Sequence, residues 1–233
     1  MDKEYNKKRI HPPLYQHDYH VLRQLYDALE KLAKKYFPTQ KGVLVDYGCG
    51  SIPYKERFLP YVNRYIGIDI DNNQLADILI AENTKIPLKD KSVDIILSTQ
   101  VLEHVDRTDF YLSETKRLLK KEGLLLLSSH GIWPYHPYPE DLHRWTRKGL
   151  EKLLQNNGFE CLETISILGP FATVTQFTLL LIAERLTGKG ILPKILLATF
   201  SLVGNGMIFL ENRLFPPNKV SDASLFVICA KKK

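Results

Sequence analysis

Short apolar runs recur along the chain and alternate with segments that have helical spacing or turn residues. The runs lie near residues 43–46, 65–70, 77–80, 93–98, 124–129, 159–168 and 224–230. Continuous apolar runs are typical of strands buried on both faces, as in parallel sheets, and right-handed helical crossovers connect such strands. The pattern therefore predicts an α/β fold with a doubly wound sheet of seven strands.

Two segments have the three- and four-residue spacing of amphipathic helices. Residues 15–37 form the first, which ends before Pro38 and is expected to pack over the sheet or over its ligand-binding end. Its apolar face comprises Leu22, Leu25, Tyr26, Leu29, Leu32 and Ala33. Residues 146–157 form the second, which Gly158 closes.

These elements are organised as one domain over residues 1–233. Residues 1–40 are predicted to form a helical cap, and residues 41–168 and 223–230 the sheet core. Residues 169–222 form an apolar helical insertion before the last strand. The sequence shows no repeat or low-complexity linker that would indicate a second domain.

The insertion is very apolar. Gly169-Pro170 interrupts its apolar run, and residues 195–210 are short for a membrane crossing and contain Gly204-Asn205-Gly206. We therefore predict an apolar helical hairpin over residues 170–215 rather than an ordinary transmembrane span. The hairpin lies on a membrane, forms a homodimer or completes the core. The cationic neighbours that favour the membrane are Arg185, Lys189, Lys194 and Arg213.

The composition is that of a globular protein. Hydrophobic residues make up 44% and charged residues 25% of the chain, which argues against wholesale disorder. The formal net charge of +6 is too small to select nucleic acid or an anionic lipid as partner. Three widely spaced cysteines and a polar N-terminal segment predict a cytoplasmic protein, either free or peripheral at the inner face of the membrane.

The most informative motif is an apolar strand that ends in Asp46 and is followed by Gly48 and Gly50. Glycines let the chain turn sharply and let a ligand approach backbone N–H groups. Because a carboxylate repels pyrophosphate but accepts hydrogen bonds from an ammonium group, an amino-acid-bearing nucleoside fits better than a dinucleotide. A second strand ends in Asp69, where an acceptor for ribose hydroxyls belongs, whereas Asp71 would instead cap the next helix.

A third signal follows in the expected order. Residues 81–88 form a loop, and residues 92–105 form a fourth strand and the segment after it. With these elements the chain resembles the class I S-adenosylmethionine-dependent methyltransferases over residues 41–165. A narrower likeness to methyltransferase-domain proteins lies in Pro53-Tyr54 after the glycine turn and Arg144-Trp145-Thr146 after the fifth strand.

The resemblance implies a Rossmann-like sheet with an antiparallel last strand, and S-adenosylmethionine as cofactor. By the same resemblance, the methionine part is held by Asp46, Gly48, Gly50 and Gln100, the ribose by Asp69, and the adenine side by Glu82 and Asn83. Two positions depart from the family. Ile52 replaces a third glycine, and Lys121-Glu122-Gly123 replaces Pro-Gly-Gly, where Gly123 remains available for an unusual backbone angle.

Candidate acceptor chemistry follows the fourth and fifth strands. Methyl transfer is an in-line displacement, so the protein must align the acceptor, and a general base assists a hydroxyl. His136 is the first and His104 the second candidate for this base or for an orienting group, and Arg144 binds an acid or orders the loop. Residue spacing in this loop predicts no metal site.

The predicted function is methyl transfer to a small-molecule, glycan or lipid-linked acceptor, with a hydroxyl as the favoured group. RNA methylation is an alternative that only the basic charge supports, and the motifs of base-modifying enzymes are absent around Ser98-Thr99-Gln100-Val101. A catalytically silent S-adenosylmethionine-binding subunit of a membrane or protein complex is a further alternative.

Overall fold

The computed structural model describes residues 3–37, 42–70, 73–137, 140–186, 188, 190–218 and 222–233. Within these residues, the strands are β1 (Val43–Tyr47), β2 (Arg64–Ile70), β3 (Ile78–Ile80), β4 (Val93–Thr99), β5 (Leu119–His130), β6 (Phe159–Ile167) and β7 (Leu225–Lys232). The α-helices are α1 (Lys3–Ile10), α2 (Tyr19–Tyr36), α3 (Lys55–Phe58), α4 (Thr108–Leu118), α5 (Arg147–Asn156), α6 (Pro170–Arg185) and α7 (Ile191–Leu214). Single turns of 3₁₀ helix cover Leu59–Tyr61 and Leu102–His104.

The strands form one sheet in the order β3-β2-β1-β4-β5-β7-β6. Strands β1 to β5 pair in parallel, and β7 runs antiparallel between β5 and β6. This confirms the doubly wound seven-stranded sheet and its antiparallel last strand. Because β1 lies between β2 and β4, with Asp46 opposite both Gly67 and Leu97, three carboxyl ends meet at one edge. Ligands bind at this edge in open α/β sheets.

Apolar layers cover both faces of the sheet. On one face, Leu25 and Leu29 of α2 share a core with Leu126 of β5. On the other face, Leu112 of α4 and Leu150 of α5 belong to the second core. The amphipathic helix predicted from residues 15–37 thus packs over the sheet, which was one of its two expected positions.

The N-terminal region differs from the sequence prediction in two ways. Helix α2 begins at Tyr19 because residues 13–19 form consecutive turns, in which Gln16 N donates to Pro13 O (2.9 Å) and Tyr19 N to Gln16 O (3.1 Å). The polar segment before them forms α1, which apolar spacing does not reveal. A tertiary contact helps to position this helix, since Asn6 Nδ2 donates to Ser51 O in the glycine turn at 2.6 Å.

Strand β5 begins earlier than the apolar run after Gly123. Its pairing with β4 shifts between Leu119 and Leu124, so the residues between them bulge out of register. Within this bulge Glu122 has a φ of 64°, whereas Gly123 does not have a positive φ. The positive φ thus lies at Glu122, one residue before the glycine that is available for it. Gly123 instead meets a steric limit, because a Cβ there would lie 3.0 Å from Lys120 O.

The insertion before β7 is the predicted apolar helical hairpin, formed by α6 and α7. Pro170 occupies the first turn of α6, where proline is tolerated. Helix α7 has 24 residues, or about 36 Å at 1.5 Å per residue, and therefore extends beyond the apolar stretch 195–210, which by itself is short for a membrane crossing. By length and composition, α7 is the one helix in the described part of the chain that is long and apolar enough to cross a membrane.

Helix α7 continues through Gly204-Asn205-Gly206, and Gly204 and Asn205 pack it against the domain. Gly204 allows Leu179 of α6 to approach, since a Cβ at this glycine would clash with the leucine side chain. Asn205 Nδ2 donates to the carbonyl oxygens of Leu14 (2.7 Å) and Gln16 (2.9 Å). The middle of α7 is therefore attached to the turns before α2.

Candidate active site

A cleft opens at the carboxyl ends of β1, β2 and β4. Its lining comprises Tyr47, Gly48, Asp69, Ile70, Ile80, Ala81, Glu82, Asn83, Gln100, Val101, His104, Val105, Asp106, Phe110 and Tyr111. Most of the predicted cofactor residues belong to this lining, and Asp46 and Gly50 do not. The cleft combines acidic side chains with apolar surfaces, as a nucleoside with a charged tail requires.

Gly48 turns the chain directly after β1. Its φ is 81°, an angle that favours glycine, and its amide donates to Ile68 O at 2.8 Å. A Cβ at this position would lie 2.5 Å from the Val101 side chain. The turn thus presents bare backbone to the cleft, so that a ligand can contact the main chain.

The carboxylate of Asp69 connects the end of β2 to the glycine turn. Its Oδ2 accepts hydrogen bonds from Gly50 N (2.9 Å) and Asn73 Nδ2 (2.5 Å), and its Oδ1 accepts one from Ile70 N (2.9 Å). Asn73 also donates to Gly50 O at 2.7 Å. No motif in the sequence marks Asn73, which sequence reasoning missed. Asp71, the alternative acid, lies outside the described residues.

Asp46 lies beneath the glycine turn rather than in the cleft. It is 1% exposed and accepts a hydrogen bond from the Tyr65 hydroxyl. Burial raises the pKa of Asp46 to about 7, although the hydrogen bond from Tyr65 opposes this shift. Its Oδ1 has no hydrogen-bond partner among the described residues. Contact between Asp46 and an ammonium group stays a prediction, and Oδ1 is the atom available for it.

Glu82 and Asn83 form an exposed turn after β3 at the rim of the cleft. Asn83 has a φ of 55°, which asparagine tolerates better than most residues. Thr84 Oγ1 donates to Ala81 O at 2.6 Å and closes the turn. The turn therefore presents a carboxylate and backbone N–H groups to the cleft, which are suitable partners for an adenine edge.

Gln100 stands at the end of β4 with a φ of 58°. Its backbone N donates to Ser128 O (3.0 Å) and its Nε2 to Ser128 Oγ (2.9 Å), which fixes the side chain between β4 and β5. Its Oε1 is buried without a hydrogen-bond partner among the described residues. An unpaired acceptor at the cleft fits a ligand with N–H donors, such as the amino group of methionine.

Three histidine rings meet beside the cleft. The ring centroid of His136 lies 5.0 Å from that of His104 and 4.8 Å from that of His130. His104 lines the cleft, and its Nδ1 contacts Glu140 O. Because a carbonyl oxygen only accepts, Nδ1 carries the proton and Nε2 has the free lone pair. The structure thus brings both predicted base candidates together and adds His130, which sequence reasoning did not select.

His136 is half-buried in the loop after β5. Its backbone N donates to Asp141 Oδ2 at 2.9 Å, and its Nδ1 lies 3.2 Å from the same oxygen. Burial lowers the pKa of His136, and the neighbouring imidazole of His130 lowers it further. The neutral ring is therefore the favoured form at neutral pH, as a base or a ligand requires.

Glu103 is a buried carboxylate next to these rings. Its Oε2 accepts a hydrogen bond from Ser129 Oγ at 2.8 Å, and its Oε1 lies 3.0 Å from His130 Nδ1. Burial opposes ionisation, but the contacts with His130 and Ser129 outweigh it and lower the pKa of Glu103. A single glutamate between apolar residues gives no motif, so sequence reasoning missed it.

All five N–H donors of Arg144 are used within the loop. Its Nε donates to Trp133 O, and its terminal nitrogens donate to Pro134 O, His143 O and both oxygens of Asp141. Of the two roles predicted for Arg144, this geometry corresponds to loop ordering. A role in binding an acidic acceptor stays a prediction that requires one of these bonds to break.

A groove, here called the lateral groove, lies on the other side of His136 and extends to helix α6. It is lined by His17, Trp133, Pro134, Tyr135, His136, Leu180, Ala183 and Glu184. The sequence does not predict it, because its walls come from the N-terminal turns, the loop after β5 and the insertion. His136 therefore lies between the lateral groove and His104 of the cleft.

Ile52 replaces the third glycine of the family pattern but keeps a left-handed backbone. Its φ is 55°, which is costly for a β-branched residue, and its amide donates to Cys49 O at 2.8 Å. Its side chain packs against the core on the α2 face. The substitution thus preserves the turn and adds apolar contact.

Comparison with known proteins agrees with this geometry. The family described as "Methyltransferase domain" matches residues 45–127. A probable S-adenosylmethionine-dependent methyltransferase of Mycolicibacterium smegmatis is 27% identical over 139 residues, which cover 53% of this chain and 54% of the relative. A ubiquinone biosynthesis O-methyltransferase of Pelagibacter ubique is 32% identical over 104 residues, which cover 40% and 43%. The chain thus spans about half the length of these curated relatives.

Solved structures share the fold over most of the chain. The crystal structure of a putative sarcosine dimethylglycine methyltransferase from Galdieria sulphuraria has a TM-score of 0.58 and 18% identity, covering 91% of this chain and 87% of its own. At this identity the likeness shows the fold alone. Together with the family match, it shows that the chain contains a class I S-adenosylmethionine-dependent methyltransferase domain, whose family uses S-adenosylmethionine as methyl donor.

Proposed function

We propose that this protein transfers a methyl group from S-adenosylmethionine to a hydroxyl of a small molecule that is carried on a lipid. The single observation that carries the proposal is the position of the lateral groove. Leu180 and Ala183 of α6 form one wall of the groove, and His136 also lines it. The ring centroid of His136 lies 5.0 Å from that of His104 in the cleft. An acceptor can therefore lie along the apolar insertion while its reactive end points toward the cofactor.

The residues of the cleft fit the cofactor. Gly48 provides bare backbone, Gln100 a buried unpaired oxygen, and Asp69 and Glu82 acceptors for the ribose and adenine ends. When bound, S-adenosylmethionine supplies an electrophilic methyl carbon. A hydroxyl acceptor gives its electron pair to that carbon, the carbon–sulfur bond breaks, and the hydroxyl proton passes to a base. His104 Nε2 suits this role because its Nδ1 proton is held by Glu140 O.

The insertion supports a lipid surface as the location of the acceptor. The exposed large apolar side chains of the two helices are Phe171, Val174, Leu181, Ile191, Leu192, Ile195, Leu196, Phe200, Leu202, Val203, Met207, Phe209, Leu210 and Leu214. A concentration of exposed large apolar side chains on two neighbouring helices is typical of an interaction site. Exposed Arg185, Lys194 and Arg213 flank it and complement anionic head groups. We therefore assign a lipid surface as the partner of this apolar face, and the flotation experiment below distinguishes it from a homodimer.

The decisive experiment supplies radiolabelled methyl groups on S-adenosylmethionine together with fractionated lipid, glycan, RNA and small-metabolite extracts. We expect label in the lipid fraction, in a product that is stable to mild acid as a methyl ether is. Label only in RNA, or in no fraction, would overturn the proposal. His104→Gln is expected to reduce labelling at least about 100-fold while it retains cofactor binding.

Vesicle flotation tests whether the apolar face of the insertion binds a lipid surface. Phe200→Lys and Phe209→Lys place charge at exposed positions of α7, and Leu79→Lys does so on β3 at the distant edge of the sheet as the matched control. On vesicles of phosphatidylglycerol and phosphatidylcholine, we expect only the α7 variants to lose binding. Deletion of the insertion is unsuitable, because Leu179 and Ile208 belong to the core. A stable dimer with no vesicle binding would replace the lipid surface with a second copy.

A further inference from the structure

Glu103, His130 and His136, here called the Glu-His cluster, bring three potential ligand atoms together beside the cleft. One carboxylate oxygen and one ring nitrogen from each histidine lie within 4.8 Å of one another. Glu103 stands in the 3₁₀ turn after β4, His130 ends β5, and His136 belongs to the following loop. Three separate segments thus converge on one point, which spacing along the chain does not reveal.

One polar atom of each residue in the Glu-His cluster is buried without a hydrogen bond. Glu103 Oε1, His130 Nδ1 and His136 Nδ1 have no hydrogen-bond partner within the described part of the chain. Glu103 is 0% and His130 4% exposed, so both side chains are withdrawn from bulk solvent. The nearest polar neighbours of these three atoms are charged or ionisable groups, since Glu103 Oε1 and His130 Nδ1 lie 3.0 Å apart and His136 Nδ1 lies 3.2 Å from Asp141 Oδ2. Buried polar atoms are almost always paired, so this set requires an explanation.

The other contacts of the cluster hold it in place. Ser129 Oγ donates a hydrogen bond to the second carboxylate oxygen of Glu103. The Trp133 ring stacks on His130, with ring centroids 4.8 Å apart and an interplanar angle of 13°. The Glu103 backbone is fixed as well, since its carbonyl accepts from the amides of Leu142 (2.9 Å) and His143 (3.1 Å). Two of the three ligand residues are therefore rigid before anything binds, as a metal site requires.

We infer that the Glu-His cluster is a binding site for a divalent transition-metal ion. Two imidazole nitrogens and one carboxylate oxygen suit zinc, cobalt, manganese or iron(II) and not magnesium or calcium, which prefer oxygen ligands. Ligand atoms about 2.1 Å from a tetrahedral ion lie about 3.4 Å from one another, so binding would draw atoms that now lie within 4.8 Å together by up to about 1.4 Å. The loop position of His136 permits this movement.

A metal here connects the two segments that follow β4 and β5. These segments carry His104 of the cleft and the Trp133–His136 wall of the lateral groove. The ion would therefore order the wall against which an acceptor lies, without contact to the adenine end of the cleft. All three ligands are side chains of this protein, so metal binding does not depend on which acceptor the protein methylates.

The test uses the full chain with its purification tag removed. After incubation with Zn²⁺, Co²⁺ or Mn²⁺ and gel filtration, elemental analysis is expected to find about one ion per chain, and Co²⁺ to give visible absorption bands of a nitrogen- and oxygen-ligated site. The metal is also expected to raise the midpoint of thermal unfolding. Retention of none of the three metals would overturn the inference and leave a buried carboxylate–imidazole pair.

Variants separate this site from adventitious binding. His136→Gln is the test substitution because His136 is half-buried in a loop, and its loss is expected to weaken metal binding at least about 100-fold. His143→Gln is the matched control in the same loop, since its ring contacts Val105 O and lies outside the cluster. Equal metal binding by His136→Gln and the unmodified chain would overturn the inference. Calorimetry with S-adenosylmethionine is expected to give the same affinity with and without metal, so failure of the proposed function is read separately.

Discussion

The backbone N of Gly50 donates a hydrogen bond of 2.9 Å to Oδ2 of Asp69. The glycine turn after β1 and the acid of β2 therefore hold each other at the cleft. Asp69→Asn keeps the size of the side chain but removes the charge that strengthens bonds from ribose hydroxyls. We expect S-adenosylmethionine to bind about 10- to 100-fold more weakly, since hydrogen bonds to a charged group contribute about 1.5–3 kcal/mol. Isothermal titration calorimetry measures this change directly.

Asp77→Asn is the matched control for this variant. Asp77 Oδ2 accepts from Gly67 N at 2.7 Å, a comparable bond between side chain and backbone, but Asp77 does not line the cleft. We expect its affinity for the cofactor to stay within about twofold of the unmodified chain. Equal losses in the two variants would mean that Asp69 acts on the fold and not on the ligand.

The sheet could be predicted from the sequence because its strands are short, continuous apolar runs bounded by turn residues, as is typical of strands buried on both faces. The positions of Gly48 and Asp69 in the cleft could also be predicted, since both residues stand where strands end. The arrangement on the histidine side of the cleft could not be predicted. Glu103 and His130 lie far apart in sequence and meet only because parallel strands β4 and β5 end side by side. Helix α1 was missed because its polar residues carry no apolar period and a tertiary contact positions it.

The left-handed backbone at Ile52 should give two variants at this position an unusual order of stability. Ile52→Gly and Ile52→Ala lose nearly the same apolar contact, but only glycine adopts a φ of 55° without cost. We expect the glycine variant to have the higher free energy of unfolding, by about 1 kcal/mol, because a left-handed backbone costs an alanine about 1–2 kcal/mol. Urea denaturation of both variants tests this order. If alanine is the more stable, the left-handed turn at this position does not exist in solution.

The hydrogen bonds of Arg144 should order the loop between β5 and α5, so a substitution of this residue should loosen the loop locally. Lysine keeps the charge but cannot reproduce the two parallel bonds to Asp141 or reach the carbonyl oxygens of Trp133 and Pro134. We expect Arg144→Lys to accelerate amide hydrogen exchange over residues 131–137 at least about tenfold, while cofactor affinity stays unchanged. Hydrogen-exchange mass spectrometry resolves that segment.

Arg147→Lys serves as the control for Arg144, since Arg147 pairs with Glu151 at 2.9 Å in the next helix. It is expected to leave exchange over residues 131–137 unaltered, because its partners lie in α5 and β6. Unaltered exchange in Arg144→Lys as well would show that the loop is ordered by its prolines and aromatic rings alone.

The raised pKa of Asp46 should make the free energy of unfolding depend on pH. Burial raises its pKa to about 7 in the folded chain, far above its ordinary value of 3.8, so folding favours the protonated form. The stability associated with this proton is complete below about pH 4 and is lost as the pH rises through about 7, at up to about 1.4 kcal/mol per pH unit. Asp46→Asn lacks this titration. We therefore expect its free energy of unfolding, relative to that of the unmodified chain, to improve as the pH rises from about 4 to about 7 and to level off above that.

A second substitution separates Asp46 from other titrating groups. Tyr65, Asp69 and Arg9 act on its ionisation, and the hydrogen bond from Tyr65 is the strongest of these influences that favour the charged form. Tyr65→Phe removes that bond, so the pKa of Asp46 should rise further and the loss of stability should move to higher pH. Urea denaturation at several pH values gives both curves. Parallel pH profiles for the unmodified chain and Asp46→Asn would place the titration elsewhere, since a buried carboxyl with a raised pKa must contribute a slope that its amide lacks.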